Sequence, residues 1–325
     1  MGYNWLRQLG FFGVLHMPIY YQNHFFRMKA YEIYLPRLPP PLRGGKRGFQ
    51  PRRVLPQPRP ALGHTGRAPF WRRALHQRRK RLRGHFFTGC NLRCVFCQNR
   101  EISRGGGGKI LSVDGLRDLM LRLRDQGVHN INLVTPSHYL RAVAQALTGL
   151  ELGIPVVWNS SGYDSAEGLK RLEGLVQIYM PDFKYYKNEP ARRYSGAADY
   201  PQAAMAAIRE MYRQTGPFVM GADGLLRSGL LIRHLILPGR ELDAMDVIDF
   251  AAEEFPRGSV LFSLMSQYTP MPGLADFPEL QGGVSAEVND NLRFYMQRRG
   301  LEAGYWQEPG SATEEMIPDF DYTGL

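Results

Sequence analysis

The chain has 325 residues, of which 44% are hydrophobic, and its 41 Lys and Arg against 30 Asp and Glu give a formal net charge of +11. This length and apolar content suffice for a full core and favour one barrel-sized domain with an appendage over several small domains. No apolar stretch reaches about 18 residues, and the run at residues 9–21 contains His16 and Pro18 without a cleavage site, so we expect a cytoplasmic protein with no membrane partner.

The first quarter of the chain differs from the rest in charge and in pattern. Residues 1–89 contain 18 Lys and Arg and a single acid, Glu32, whereas the remainder contains 23 basic and 29 acidic residues. Apolar periodicity is nearly absent between residues 35 and 84, and such a composition is typical of an irregular basic tail. We therefore assign residues 1–84 to an irregular Arg- and Pro-rich segment and expect the folded core to begin near Gly84.

Residues 85–308 have the pattern of an α/β core. Short β-branched or aromatic runs alternate with helix-period segments, which indicates βα units and a parallel sheet. The predicted strands are residues 85–88, 130–134, 155–159, 176–180, 230–237 and 259–264, and the predicted helices are residues 112–126, 138–150, 165–172, 203–215, 241–255 and 285–299. About six such units make an incomplete (β/α)6 barrel, open on one side, followed by a C-terminal tail at residues 309–325.

All three cysteines of the chain lie within eight residues, directly after the first predicted strand. Cys90, Cys94 and Cys97 form a CxxxCxxC motif, and an odd, tightly clustered set favours metal binding over disulfides. Three thiolates can hold a [4Fe-4S] cluster and leave one iron without a protein ligand. Zinc is the alternative, because His85 or His138 would complete a Cys3His site.

Ordered motifs beyond the cysteines carry a family resemblance. They are GCNLRCVFCQN, INLVTPSHY, WNSSGY, IYMPDFKYY, RHLILPG and SLMSQYTP, with Phe96 as the aromatic before the last cysteine. Together they resemble the radical SAM superfamily and, more narrowly, the branch homologous to pyruvate formate-lyase activating enzyme, over about residues 85–308. The resemblance implies an incomplete barrel of the radical SAM type, a [4Fe-4S] cluster and S-adenosylmethionine, which is cleaved reductively so that a hydrogen atom can be abstracted. It also implies an electron donor of low potential, of the flavodoxin or ferredoxin type, and leaves the substrate open between a protein glycine and a small molecule.

Charged side chains follow or interrupt two of the predicted strands, at the edge where parallel sheets bind ligands. Asp182 and Lys184 follow the fourth strand and share one face by period-two alternation, and the resemblance assigns such a D-x-K pair to the cofactor. Arg233 and His234 lie inside an apolar strand, where Arg233 requires a polar cavity or an acid and would suit a carboxylate. The alternatives are an exposed ion pair for Asp182 and Lys184 and a buried core histidine for His234.

Short polar side chains end two further strands. Asn159 and Ser160 close the third predicted strand, and Thr135 and His138 follow the second. Such residues either bind a ligand or cap the next helix, and the sequence leaves both interpretations open. The same holds for Ser266, Gln267 and Tyr268 after the last predicted strand.

The N-terminal segment departs from the family, whose members have cysteines before the cluster strand. Back-translation of residues 35–45 and 71–86, read one nucleotide later, permits C-R-A-C-P-R-R-C-G-V and E-P-C-I-S-G-x-x-G-S-G-V-I-F, which resemble the missing segment. We therefore predict that about residues 35–86 come from a shifted reading frame, and the genomic sequence across this segment would test it. The alternative is a genuine basic arm.

Two other function classes follow from these observations. The first is a nucleic-acid-binding protein with a basic arm and a structural metal cluster, but only Phe49, Phe70 and Trp71 interleave with the basic residues for stacking, so nucleic acid is not the expected partner. The second is an inactive product of a frame-damaged gene.

Overall fold

The structure is a computed structural model, and it describes residues 84–104 and 110–306. Nearly all of the N-terminal segment assigned to residues 1–84, most of the segment with the predicted frame shift, and the tail at residues 309–325 lie outside these ranges. None of the helices in the described ranges is long and apolar enough to cross a membrane.

Seven parallel strands form one open sheet in the order β1-β2-β3-β4-β6-β7-β8, and a short strand, β5, pairs antiparallel with β6. The strands are β1 (Gly84–Phe86), β2 (Ile131–Val134), β3 (Val156–Ser160), β4 (Ile178–Pro181), β5 (Val219–Met220), β6 (Leu226–Leu235), β7 (Leu261–Met265) and β8 (Gly304–Trp306). Within the described residues β1 and β8 are the two edges and do not pair with each other. The predicted incomplete barrel, open on one side, is therefore confirmed.

Eight α-helices accompany these strands in the described residues. They are α1 (Arg100–Ser103), α2 (Val113–Asp125), α3 (Leu140–Leu147), α4 (Ala166–Leu169), α5 (Asn188–Ser195), α6 (Tyr200–Thr215), α7 (Glu241–Glu254) and α8 (Ala286–Arg298). Helix α2 shows how the sequence sets these elements: the Ser112 side chain accepts the N–H of Gly115 at 3.0 Å as an N-cap, and an apolar stripe is buried against the sheet layer.

The predicted elements differ from the observed ones in number more than in position. The six predicted strands correspond to β1–β4, β6 and β7, with ends that move by at most four residues, whereas β5 and β8 were not predicted. Helices α1 and α5 were also not predicted, and the predicted helix at residues 138–150 is shorter, because a 3-10 turn at Ser137–Tyr139 precedes α3.

The sheet has two faces with separate cores. The helix-covered face contains Trp158 and Tyr179, which pack with the helices in the larger core. The opposite, inner face contains Val157, Met180 and Leu231, which belong to a smaller core. Because side chains alternate along a strand, neighbouring residues in the sequence reach different cores, and this alternation positions the site described next.

Candidate active site at the strand ends

The loop after β1 brings the three cysteines to the carboxyl end of the sheet. Cys94 is buried, and Cys90 and Cys97 are half-buried. The N–H of Gly89 donates to the carbonyl of Ile102 at 2.9 Å, so the start of the loop is bonded to α1, which follows the last cysteine. The loop is thus closed on itself around the thiols.

Helix α5 holds the middle of the same loop. The N–H of Val95 donates to the carbonyl of Tyr194 at 2.9 Å, and the N–H of Arg93 donates to the carbonyl of Ser195 at 3.3 Å. These two bonds flank Cys94 on both sides. The hydroxyl of Ser195 also donates to the Cys94 sulfur at 3.0 Å. A helix that the sequence did not predict therefore fixes the central cysteine.

The surroundings of Cys90 and Cys94 oppose the loss of their thiol protons. Burial raises the pKa of Cys90 to about 12, and the neighbouring Cys94 adds to this shift. Burial also raises the pKa of Cys94, while the charge of Lys184 acts in the opposite direction on both thiols. Buried thiolates at this site need a positive partner, and a metal cluster together with Lys184 would supply one. These three cysteines fit a cluster held by three thiolates.

The described residues give no support to the zinc alternative. No three His, Cys, Asp or Glu side chains in the described part of the chain are grouped closely enough to hold a single ion. A tetrahedral zinc with bonds of about 2.3 Å would need such a compact group, whereas a cluster distributes its thiolates over separate irons. The Nε2 atom of His138 instead lies 2.6 Å from the Thr88 carbonyl oxygen, to which it donates, and the side chain of His85 is not among those described.

Four of the predicted residues meet beside the cysteine loop, on the inner face. The Asp182 carboxylate lies 2.7 Å from Lys184 Nζ and 2.6 Å from an Arg233 guanidinium nitrogen, and Arg233 donates to the Asn159 side-chain carbonyl at 2.8 Å. We call these four residues the strand-end charged group. The side chains of Asp182 and Lys184 are each 18% exposed and that of Arg233 is 8% exposed, so the exposed ion pair is ruled out.

The strand-end charged group has more positive than negative charge. Burial alone would raise the pKa of Asp182, but the charges of Arg233 and Lys184 outweigh it and hold that pKa below its ordinary value. Burial would lower the pKa of Lys184, but the Asp182 carboxylate outweighs it and raises that pKa. One carboxylate and two cations leave a net charge of +1, which favours an anionic ligand such as a carboxylate or a thiolate-bound cluster.

Two predicted residues lie on the other side of the sheet. Ser160 shares the helix-covered face with Trp158, and its hydroxyl donates to the buried carboxylate of Asp164. The Nδ1 atom of His234 lies 2.7 Å from the carbonyl oxygen of Phe183, and burial lowers its pKa to about 4. The core-histidine interpretation therefore describes the position of His234, and neither residue is brought to the strand-end charged group.

Other predicted residues lie just beyond the ends of β2 and β7. Thr135 has a φ of 59°, and among the described residues it is the one non-glycine residue with a positive φ. Its N–H donates to the Asn159 carbonyl at 2.8 Å, so this strained backbone is fixed to β3. Gln267 and Tyr268 are buried, and the Tyr268 ring packs edge-on against Phe96 with centroids 6.1 Å apart.

Tyr200 is a supporting residue that the sequence did not reveal. Its hydroxyl oxygen lies 2.9 Å from the Ser161 carbonyl and 2.7 Å from the Asp182 carbonyl, and it accepts the N–H of Lys184 at 2.8 Å. This one side chain ties together the ends of β3 and β4. Gly162 lies at the same junction with a φ of 77°, where a Cβ would stand 2.2 Å from the Asp182 carbonyl oxygen.

Part of the chain matches the model of a known protein family. The family model of the radical SAM superfamily matches residues 85–227, a range that contains the cysteine loop and every member of the strand-end charged group except Arg233. The match supports assignment to the radical SAM superfamily.

Individual relatives share less than a third of their aligned residues with this chain. An uncharacterised protein of Methanocaldococcus jannaschii is 29% identical over 231 residues, which cover 68% of this chain and 63% of that protein. Among solved structures, SuiB of Streptococcus suis aligns with a TM-score of 0.48 at 14% identity, over 71% of this chain and 50% of that one. The FeFe-hydrogenase maturase HydG of Carboxydothermus hydrogenoformans aligns with a TM-score of 0.42 at 15% identity, over 73% and 61%. The chain thus spans less than two thirds of the length of each of these relatives.

Proposed function

We propose that the protein is a radical SAM enzyme in which Cys90, Cys94 and Cys97 bind a [4Fe-4S] cluster. The observation that carries this proposal is the position of the CxxxCxxC loop at the carboxyl end of an open parallel sheet, beside a largely buried group of net positive charge. When bound, the cluster and S-adenosylmethionine supply reductive cleavage of a carbon–sulfur bond and abstraction of a hydrogen atom.

The chain's own residues would bind and orient the cofactor. The cations of Lys184 and Arg233 favour a carboxylate, and the Asn159 carbonyl and the Asp182 carboxylate offer acceptors for an ammonium or hydroxyl group. Asn159 and Arg233 lie on β3 and β6, Asp182 forms a backbone bridge with Arg233, and the N–H of Lys184 in the following loop is bonded to the Tyr200 hydroxyl. These bonds limit the motion of the four residues around a bound ligand.

The finer assignment follows the motif resemblance. We propose an activating-enzyme-like protein that takes its electron from a flavodoxin- or ferredoxin-type donor and acts on either a protein glycine or a small molecule. The nucleic-acid alternative depends on the basic segment at residues 1–84, which lies almost wholly outside the described residues, and no observation on the core favours it.

Anaerobic reconstitution with iron and sulfide tests the proposal. The wild-type chain should bind about four irons and turn brown, and dithionite should then convert S-adenosylmethionine to 5′-deoxyadenosine. Cys90→Ala, Cys94→Ala and Cys97→Ala should each lose the cluster, because one thiolate fewer leaves a second iron without a protein ligand. The matched control, Asn159→Ala, should keep its full iron content while it binds S-adenosylmethionine more weakly.

Iron content and product formation have to agree. Full iron retention in any of the three cysteine variants contradicts the ligand assignment, and a reconstituted wild-type chain that yields no 5′-deoxyadenosine contradicts the enzymatic one.

A further inference from the structure

A buried chain of hydrogen bonds reaches Cys94 from the side of α5. Ser195 donates its hydroxyl proton to the Cys94 sulfur at 3.0 Å, and the Tyr185 hydroxyl oxygen lies 2.7 Å from Ser195 Oγ. A serine hydroxyl has one proton, so Tyr185 must be the donor in the second bond. Tyr185 is 1% exposed and Ser195 is 3% exposed, so water does not compete for either bond. The chain of donors therefore points from Tyr185 through Ser195 to the sulfur.

The end of α5 also explains why Ser195 stays in place. The last carbonyls of a helix have no partner within the helix, and Gly196 ends α5 in the left-handed region with a φ of 68°. Two of these free carbonyls, those of Tyr194 and Ser195, accept the N–H groups of Val95 and Arg93. Together with the bond to the Cys94 sulfur, three hydrogen bonds fix the serine relative to this one cysteine.

The other two cysteines have weaker surroundings. The Leu92 N–H lies 3.4 Å from the Cys90 sulfur, and the Ser103 hydroxyl lies 3.5 Å from the Cys97 sulfur. Both of these thiols are half-buried, whereas the bond from Ser195 to Cys94 is shorter and joins two buried residues, and a hydrogen bond is electrostatically stronger when it is buried.

A donor aimed at a ligand sulfur changes the redox balance of a cluster. It stabilises negative charge on the sulfur, and the reduced cluster carries one more electron than the oxidised one, so the donor favours reduction. We propose that Ser195 is a positioning residue that, oriented by Tyr185, raises the reduction potential of the cluster held by Cys94. This inference rests on the proposed function. One electron enters the cluster from the low-potential donor, while both hydroxyl protons remain where they are.

A redox titration of the reconstituted full-length chain, followed by the electron paramagnetic resonance signal of the reduced cluster, tests this inference. Ser195→Ala should shift the midpoint potential to a more negative value, and Tyr185→Phe should shift it in the same direction by less, because it removes only the second donor. Ser195→Thr keeps the hydroxyl and should restore a potential close to that of the wild type. Tyr194→Phe is the matched control on the same helix end: its hydroxyl contacts Glu279 and Arg240 and not the cysteine, so its potential should not move.

The outcomes separate the two proposals. Unchanged potentials in Ser195→Ala and Tyr185→Phe, both with full iron content, overturn the role of this hydrogen-bond chain and leave the proposed function intact. If Ser195→Ala cannot hold iron, Tyr185→Phe decides, and an unshifted potential there overturns the inference. A wild-type chain that binds no cluster overturns the proposed function, and the inference with it.

Discussion

Consecutive residues on two strands of the sheet have opposite roles. On β3, Asn159 joins the strand-end charged group while Ser160 bonds to Asp164 on the helix-covered face; on β6, Arg233 and His234 divide in the same way. The inner face concentrates full charges with an excess of one cation. The polar groups of the helix-covered face pair locally, and burial favours their neutral forms, because it lowers the pKa of His234 and raises that of Asp164. Unbalanced buried charge, more than burial of polar atoms, distinguishes the candidate site from its support.

The test with the largest expected effect replaces one carboxylate on each face of the sheet by an amide. Asp182→Asn should lower the free energy of unfolding by about 3 kcal/mol, because it leaves the buried cation of Arg233 and the half-buried cation of Lys184 without an anion. Asp164→Asn should lower it by less, about 1 to 2 kcal/mol, because the amide oxygen still accepts the hydrogen bond from Ser160 and only the longer bond from Trp158 Nε1, at 3.4 Å, is lost. Urea unfolding of both variants measures the difference, and equal losses would mean that the two faces do not differ in charge balance.

Lowering the pH should destabilise the protein through the buried His234 on the helix-covered face. Its pKa falls from the ordinary 6.5 to about 4 on folding, so the unfolded chain binds a proton that the folded chain does not. Stability should therefore be lost as the pH falls from about 6.5 to about 4, by about 1.4 kcal/mol per pH unit and about 3 kcal/mol in total. His234→Asn keeps a donor for the Phe183 carbonyl without titrating. Urea unfolding at several pH values should show a shallower acid dependence for this variant, and parallel curves would refute the assignment.

Cofactor affinity should separate the two neighbours on β3. Asn159→Ala should weaken binding of S-adenosylmethionine to the reconstituted protein by about 1 to 3 kcal/mol, the cost of leaving a buried polar partner unpaired. Ser160→Ala, one residue away, should leave the affinity unchanged, because its hydroxyl bonds to Asp164. Isothermal calorimetry measures both affinities. A loss confined to Ser160→Ala would mean that the cofactor contacts Ser160 and not Asn159.

The smallest expected effect on stability comes from the backbone strain at Thr135, just after the end of β2. Thr135 holds a φ of 59° with a β-branched side chain, and glycine should relieve this strain by about 1 kcal/mol. Thr148→Gly is the control. Thr148 has a φ of −60° and its hydroxyl bonds to the Ala144 carbonyl, so glycine there should destabilise the protein. Thermal unfolding of both variants should give shifts of opposite sign, and a lower melting temperature for Thr135→Gly would show that the strain is not released.

The sequence predicted those parts of the molecule that depend on local periodicity. Six of the seven parallel strands follow from short β-branched or aromatic runs, and period-two alternation predicted that Asp182 and Lys184 lie together, as their 2.7 Å ion pair shows. The same rule applied to Arg233 and His234 would have separated them, since adjacent residues of a strand point to opposite faces.

The elements that were missed owe their structure to distant contacts. Helix α5 has only eight residues, with Pro190 and two arginines, and its buried side packs where the cysteine loop docks. Strand β8 has three residues and forms on the free edge of β7. Tyr200 bonds to Ser161 across 39 positions of the sequence, and no local pattern announces such a contact.

The distance in sequence between Cys94 and Ser195 has a consequence for the synthesis of the protein. The two residues are 101 positions apart, and ribosomes add roughly 5 to 20 residues per second. The cysteine loop is therefore made roughly 5 to 20 s before the helix end that holds it, and in that interval its thiols lack the packing that later shields them. Oxidants and free metal ions can reach the nascent loop during this time, so the oxygen tension during expression should influence how much of the protein can later take up iron.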